Sequence, residues 1–402
     1  MKNRTVAMNF KSLNWKVILL FILVLFYSGL MIIWTADSTS PIHYGGDYLA
    51  FWSAGKIADQ YGFPMIYDLD KLRTVQSKVF EGLSLQTGIT LTLGTTLPAP
   101  FFSFFMVPFK FLSRIDLETG YRIWVGFNLL VLIAYLAYFL KDVTSNKKFS
   151  ENASIFFLII ASFPVFDNLV NGQLNVLLLL SCGEFIRNAL KKKPLLSGLW
   201  LGGMLLKPQV LILIIPVLVI QRQWRVIWGF SLATLAIVGV STLLSGVDGM
   251  LAYARLLTGW GEGGAVTVPE AMINWRMIGV YINSFLSSPY GWIVAGIGVA
   301  FTLIAVTFLI RRRTEFGSPE WVFTMLGVMS ATLAVTWHAH AHMAVVILPL
   351  MLYAVANEML PSRLTLAWVV ITPAAWIGTV VLGVILQQVA RINVLQYQGL
   401  IL

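Results

Sequence analysis

Asp47 stands in Tyr44-Gly-Gly-Asp-Tyr-Leu-Ala-Phe-Trp-Ser-Ala-Gly55, just after the first long apolar run of the chain. Neither solubility nor topology needs an acid there. Gly45 and Gly46 permit close backbone approach. Tyr48, Phe51 and Trp52 carry rings suited to stacking on a sugar or an isoprenoid. A carboxylate in that setting can serve as a general base, taking a proton from an attacking hydroxyl. The bland alternative is one more solvated loop acid beside Asp37, Asp59, Asp68, Asp70 and Glu81. The glycines and aromatics weigh against it.

The cations and amides that would complete such a site are spread along the chain. In Leu205-Leu-Lys-Pro-Gln209, Lys207 sits between two apolar runs, where a charge facing lipid costs about 2.5–3.5 kcal/mol. Pro208 disfavours helical geometry at Lys207 and is suited to open the next helix. A helix N-terminus beside an ammonium attracts phosphate, with Gln209 as a neighbouring amide; a lysine snorkelling at the interface is the alternative. Arg276, in Asn274-Trp-Arg-Met277, offers a bidentate phosphate contact or, equally, an interfacial anchor. In Asn171-Gly-Gln-Leu-Asn175, the amides of Asn171, Gln173 and Asn175 can bind hydroxyl groups or cap a helix.

Trp337-His-Ala-His-Ala-His342 places His338 and His342 on one face of a helix, or His338, His340 and His342 together on a strand. A metal site is conceivable. No clear carboxylate or cysteine stands nearby in sequence, so polar contacts, phosphate included, are the stronger reading. No metal and no cofactor are expected. The chain has no Walker motif, no GxGxxG after a strand, no HExxH and no CxxC.

These residues must be held by membrane helices. The chain has 402 residues, 58% hydrophobic and 11% charged, with mean hydropathy +0.79. That is too apolar for a soluble protein and predicts an all-α polytopic membrane fold. The net charge of +10 does not imply nucleic acid. Its basic residues cluster in short runs between apolar spans (Lys2 to Lys16, Lys141 to Lys148, Arg187 to Lys193, Arg222 and Arg225, Arg311 to Arg313), as cytoplasmic loops do. Candidate spans fall at about 17–35, 118–140, 152–168, 172–187, 194–206, 208–220, 224–245, 291–310, 319–336, 342–357 and 364–386. The first reads as an uncleaved helix with a cytoplasmic N-terminus. The whole of 1–402 then forms one transmembrane domain with two long extracytoplasmic loops, 36–117 and 246–290. In the first, Leu97-Pro-Ala-Pro-Phe-Phe-Ser-Phe-Phe-Met-Val-Pro108 predicts a short interfacial or re-entrant element. Gly198-x-x-x-Gly202 predicts close helix packing. Cys182, the only cysteine, allows no intrachain disulfide.

Several segments together resemble glycosyltransferase family 87, the polyprenol-phosphate-mannose-dependent mannosyltransferases with the C-class membrane fold. They are Gly46-Asp47-Tyr48 with Trp52-Ser-Ala-Gly55, Tyr67-Asp68, Pro98-Ala-Pro-Phe-Phe102, Asn171-Gly-Gln-Leu-Asn175, Gly198-Leu-Trp-Leu-Gly202, Leu206-Lys-Pro-Gln209 and the histidine stretch ahead of Leu348-Pro349. Each is short and degenerate, so the specificity lies in the set and its order. The resemblance implies a bundle of about 11–12 transmembrane helices. It also implies inverting transfer of a hexose, mannose first, from a polyprenyl-phosphate donor to an extracytoplasmic glycan, glycolipid or protein. Asp47 maps onto the family's catalytic base. Two departures bear on donor and acceptor: the family's usual proline pair is Pro98-Ala-Pro100 here, and the histidine stretch is richer in histidine.

On this reading Lys207, Arg276 and His340 meet the donor phosphate. Tyr48, Trp52, Asn171, Gln173, Asn175, Gln209, His338 and His342 line the substrate. Expected partners are the lipid-linked donor, the acceptor and membrane lipids, with no nucleic acid; the expected place is a bacterial cytoplasmic membrane. A transporter or flippase of a lipid-linked or small polar substrate is the alternative. It would gather polar residues near the midplane of several spans, whereas here they gather at outer ends. A catalytically inactive scaffold of the same fold is a third reading.

Overall fold

Apolar runs punctuated by Gly, Pro and charge produce helices throughout the computed structural model, which describes residues 15–36, 46–87, 93, 95–144, 156–261, 272–286, 288–312, 314–361, 363–371 and 373–374. In chain order the main helices begin with α1 (Trp15–Ala36), α2 (Gly46–Tyr61), α3 (Leu69–Thr87), α4 (Ser103–Leu112) and α5 (Leu117–Val143). There follow α6 (Phe163–Val170), α7 (Asn175–Leu190), α8 (Pro194–Gly202), α9 (Ile214–Ile220) and α10 (Trp224–Gly261). The last are α11 (Trp275–Phe285), α12 (Tyr290–Arg311), α13 (Pro319–Val335) and α14 (Leu348–Ala356). Among the described residues the only β pairing is an isolated bridge between Met272 and His340. The fold is all-α.

Among the described residues three helices, α5, α10 and α12, are long and apolar enough to cross a membrane. Several other expected spans are interrupted. The pair at 194–206 and 208–220 becomes α8, two short 3-10 turns (Gly203–Leu206 and Pro208–Leu211) and α9. The span at 342–357 starts as a 3-10 turn, Ala341–Ile347, before α14. Expected span 364–386 lies largely outside the described residues. Broken helices are tolerated at membrane depth where protein, not lipid, surrounds the irregular backbone.

The segment read as a first loop is substantially helical. α2 begins with Asp47 in its first turn, where a carboxylate complements the helix dipole. Ten of its residues are buried, and Gly55 shows how. A Cβ there would lie 2.1 Å from the Phe109 carbonyl oxygen, so only glycine lets α2 approach α4 this closely. α3 is amphipathic, and the buried Gln76 holds the strand-like entry to α4 by donating to the Leu97 carbonyl (2.7 Å) and accepting from its N–H (2.9 Å). The proline-rich piece ends in α4, a helix of 10 residues. In the second expected loop, α10 continues beyond a break at Gly246 (φ 68°) to Gly261. The second half of Gly259-Trp-Gly-Glu-Gly-Gly264 lies outside the described residues. The Gly198/Gly202 pair packs as its spacing predicts: a Cβ on each would sit 2.0 Å from the Val226 carbonyl oxygen and 2.3 Å from the Ala233 Cβ of α10.

Candidate active site

The turn from α6 into α7 carries the amides, and its geometry follows from Gly172. α6 ends in a Schellman arrangement: Gly172 N–H donates to the Leu169 carbonyl (3.0 Å) and Gln173 N–H to that of Asn168 (2.9 Å). Gly172 takes φ 61°, the left-handed position that this motif reserves for glycine. A Cβ there would also lie 2.7 Å from the Cβ of Tyr48. From α5, Trp124 Nε1 donates to the Gly172 carbonyl (2.8 Å) and the Tyr121 hydroxyl to that of Val170 (2.9 Å). The Tyr48 N–H completes the clamp on the Asn171 carbonyl (3.2 Å). The start of α2 and the start of α7 are therefore held face to face.

Across that contact Gln173 joins the acid to the cation. Its Nε2 donates to Asp47 Oδ2, and its Oε1 accepts from Lys207 Nζ at 2.8 Å. Lys207 is 7% exposed, set in the break between the two 3-10 turns at φ −136°, ψ 84°. Pro208 enforces that extended backbone. The element Pro208 opens is a 3-10 turn of 4 residues, so the expected helix N-terminus beside Lys207 is not formed; the phosphate attraction there rests on the ammonium. Burial, opposed by Asp47 and Asp167, brings the Lys207 ammonium down to about 8.

Asp167, in α6, is the functional candidate that sequence reasoning passed over. Its Oδ2 accepts from the His342 backbone N–H (3.0 Å) and lies 3.1 Å from His342 Nδ1. Its Oδ1 accepts from Asn171 Nδ2 (2.8 Å). The available signal was an acid in a largely apolar helix, four residues before Asn171. Asn175 Nδ2 donates to the His342 carbonyl (3.1 Å). Neither Asn171 nor Asn175 is an N-cap; both brace the cluster.

The histidine stretch leaves α13 irregularly and pairs with the segment before α11: Ile273 N–H donates to the Ala339 carbonyl (2.8 Å) and Asn274 Nδ2 to that of Thr336 (2.8 Å). Ring centroids of His338 and His340 are 4.7 Å apart, and those of His340 and His342 5.5 Å. Asn274 caps α11 by accepting from the Met277 N–H (3.1 Å). The next residues place the Arg276 guanidinium 4.0 Å from the centre of the Trp337 ring. Burial lowers His338 to about 2, aided by the charges of His340, Lys207, His342 and Arg276. Arg276 thus lies against the start of the histidine stretch, whose three rings follow one another in contact. Among the described residues no group of three His, Cys, Asp or Glu side chains is arranged to hold a metal ion.

Two expected stacking residues are engaged in packing. Tyr48 is fully buried, with Phe109 and Tyr121 against its ring. Trp52 is 9% exposed, donates Nε1 to the Ile115 carbonyl (3.1 Å) and is covered by Lys56. Their apolar area docks α2 onto α4 and α5. Gln209 is half-buried two residues past Lys207.

An all-helical polytopic membrane protein with a polar site assembled at helix breaks is the class that fold and cluster define. The family model described as glycosyltransferase family 87 matches residues 99–336, more than half of the chain. The chain belongs to glycosyltransferase family 87 and is a glycosyltransferase. Asn171, Gln173, Asn175, Lys207, Gln209 and Arg276 fall within the match, whereas Asp47 and the three histidines lie outside it. No curated protein and no solved structure matches the chain significantly.

Proposed function

We propose that this glycosyltransferase moves a hexose, mannose first, from a polyprenyl-phosphate donor to an extracytoplasmic glycan, glycolipid or protein acceptor, with inversion. Asp47 is the general base. The single observation that carries this reading is the Gln173 bridge, which sets a carboxylate and a buried ammonium on the two ends of one amide.

Transfer needs a base on one side of the anomeric carbon and charge stabilisation on the other. Asp47 takes the proton of the acceptor hydroxyl as its oxygen bonds to the anomeric carbon. The bond from that carbon to the phosphate oxygen breaks in the same displacement, and the electron pair leaves with polyprenyl phosphate. Lys207, with Arg276 and His340, meets the growing phosphate charge. Gln173 holds Asp47 and Lys207 in register, while Asn171 and Asn175 act through Asp167 and His342. His338, His342 and Gln209 remain for sugar hydroxyls. The positive-inside distribution of basic runs supports an extracytoplasmic site in a bacterial cytoplasmic membrane.

The test is transfer by purified protein from a radiolabelled panel of polyprenyl-phosphate hexoses to candidate acceptors. Wild type transfers label and Asp47→Asn loses activity by about 10²–10⁴-fold, the worth of a positioned base. The asparagine can still accept from Gln173 Nε2, so the fold survives. Activity in a folded Asp47→Asn protein within threefold of wild type removes Asp47 from the base role.

A further inference from the structure

A second feature lies at the opposite end of α8 from Lys207. α8 and α10 run side by side in the same direction there: a Cβ at Gly229 would lie 2.1 Å from the Leu195 carbonyl oxygen, and one at Gly202 2.3 Å from the Ala233 Cβ. Along their flank opens a cavity of about 660 Å³, within the ~300–1,000 Å³ range of small-ligand clefts. Its walls are Leu195, Leu196, Leu199 and Trp228; Lys193 and Arg225 line it where the two helices begin. Among the described residues no carboxylate lines it. Nearby Lys191 and Lys192 are paired with Asp142 and Glu315, whereas the side chains of Lys193 and Arg225 make no ion pair or hydrogen bond among the described residues.

Among the described residues α10 is one of three helices long and apolar enough to cross a membrane; with α10 spanning, Arg225 in its first turn falls at headgroup level and the groove flanks the acyl region below. Trp228 is 67% exposed and Leu195 47%, an apolar wall that no described residue covers. Cations at one end and an open apolar flank at the other match one ligand chemistry, an anion joined to hydrocarbon. The donor is not that ligand on the reading above. α8 and the 3-10 turn after it separate Lys193 from Lys207 by roughly 20 Å, taking about 1.5 and 2.0 Å per residue.

We propose that this groove binds one anionic phospholipid of the leaflet at that end. Its phosphate lies between Lys193 and Arg225, and its acyl chains lie along Leu195, Leu199 and Trp228. The site is independent of the transfer reaction.

Native mass spectrometry of the full chain with phosphatidylglycerol or phosphatidylcholine of matched acyl length tests it. One phosphatidylglycerol is retained in preference to phosphatidylcholine. The double variant Lys193→Gln/Arg225→Gln weakens its retention on the order of 30-fold, each cation near an anionic headgroup being worth about fivefold. Leu199→Trp fills the apolar wall, keeps both cations and also lowers retention. Arg311→Gln/Arg312→Gln removes the same charge elsewhere and leaves retention unchanged. Equal retention of the two lipids, an unchanged folded double variant, or equal loss in the Arg311/Arg312 variant overturns the proposal. Displacement of the lipid by inorganic phosphate alone does so too, because the groove would then be a free-anion site. Should the double variant fail to fold, undiminished retention in Leu199→Trp overturns it.

Discussion

Gln173→Leu is the sharpest perturbation of the site, because one side chain carries two charge-assisted hydrogen bonds. The substitution removes the donor to Asp47 and the acceptor of Lys207, the latter at 2.8 Å. A hydrogen bond to a charged group is worth about 1.5–3 kcal/mol. Solvent can replace the lost partner at Asp47, which is half-buried, better than at Lys207, which is 7% exposed. The Lys207 bond therefore sets the scale, and kcat/KM should fall roughly 10- to 150-fold. Leucine approximates the volume of glutamine at a position only 5% exposed, so packing is retained. Gln173→Glu is the discriminating companion. It keeps an acceptor for Lys207 but sets a second carboxylate against Asp47, and like charges that close cannot both ionise freely. Its pH–rate profile should shift to the alkaline side. The assay is transfer from labelled donor with kcat and KM resolved, alongside thermal unfolding. A folded Gln173→Leu protein within threefold of wild type, or a Gln173→Glu profile superposable on wild type, refutes the bridge as a working part.

Two further expectations follow from the same geometry. With Lys207 brought down to about 8 by burial, its ammonium is lost as pH rises through that value, so kcat/KM for the donor should decline above about pH 8. Lys207→Arg, which stays charged, should abolish that alkaline decline, and its persistence in the arginine variant would assign the titration to another group. Tyr48→Phe should leave activity unchanged and hold or slightly raise the unfolding temperature, because the Tyr48 hydroxyl is buried with no hydrogen-bond partner among the described residues. A marked loss of transfer would instead return Tyr48 to the substrate.

What the chain discloses in one dimension depends on how locally each property is determined. Pro208 acts on its immediate neighbour, so the irregular backbone at Lys207 was legible. Gly198 and Gly202 announced a close approach through their spacing alone. The role of Gly55 was less visible, because the carbonyl it admits comes from Phe109, 54 residues away in sequence. Tyr48 and Trp52 show the same limit: an aromatic run suits a sugar or a helix partner equally, and the packing against α4 and α5 is visible only in three dimensions. Asp167 escaped because its partner, His342, is 175 residues distant. A lone acid in an apolar run says that something pairs with it, not what.

The polar residues share a property that explains how a membrane fold can hold them. Asp47 lies in the first turn of its helix, Gln173 directly after a Schellman turn, Lys207 in a break between 3-10 turns, and His338 to His340 in an irregular link bridged to the segment before α11. Regular helix interiors satisfy their own backbone groups and leave nothing for a ligand; breaks free N–H and C=O groups that must then find partners inside the protein. Here the freed carbonyls of Val170, Asn171, Gly172, Thr336 and Ala339 accept from Tyr121, Tyr48, Trp124, Asn274 and Ile273. Those bonds tie five separate stretches of chain into two frames, which the Asp167–His342 and Asn175–His342 contacts join. The contacts that repair the broken backbone thus help bring acid, amide and imidazole together, and the Gln173 side chain adds the cation. Loosening any one of them should therefore disturb the site before it disturbs the bundle.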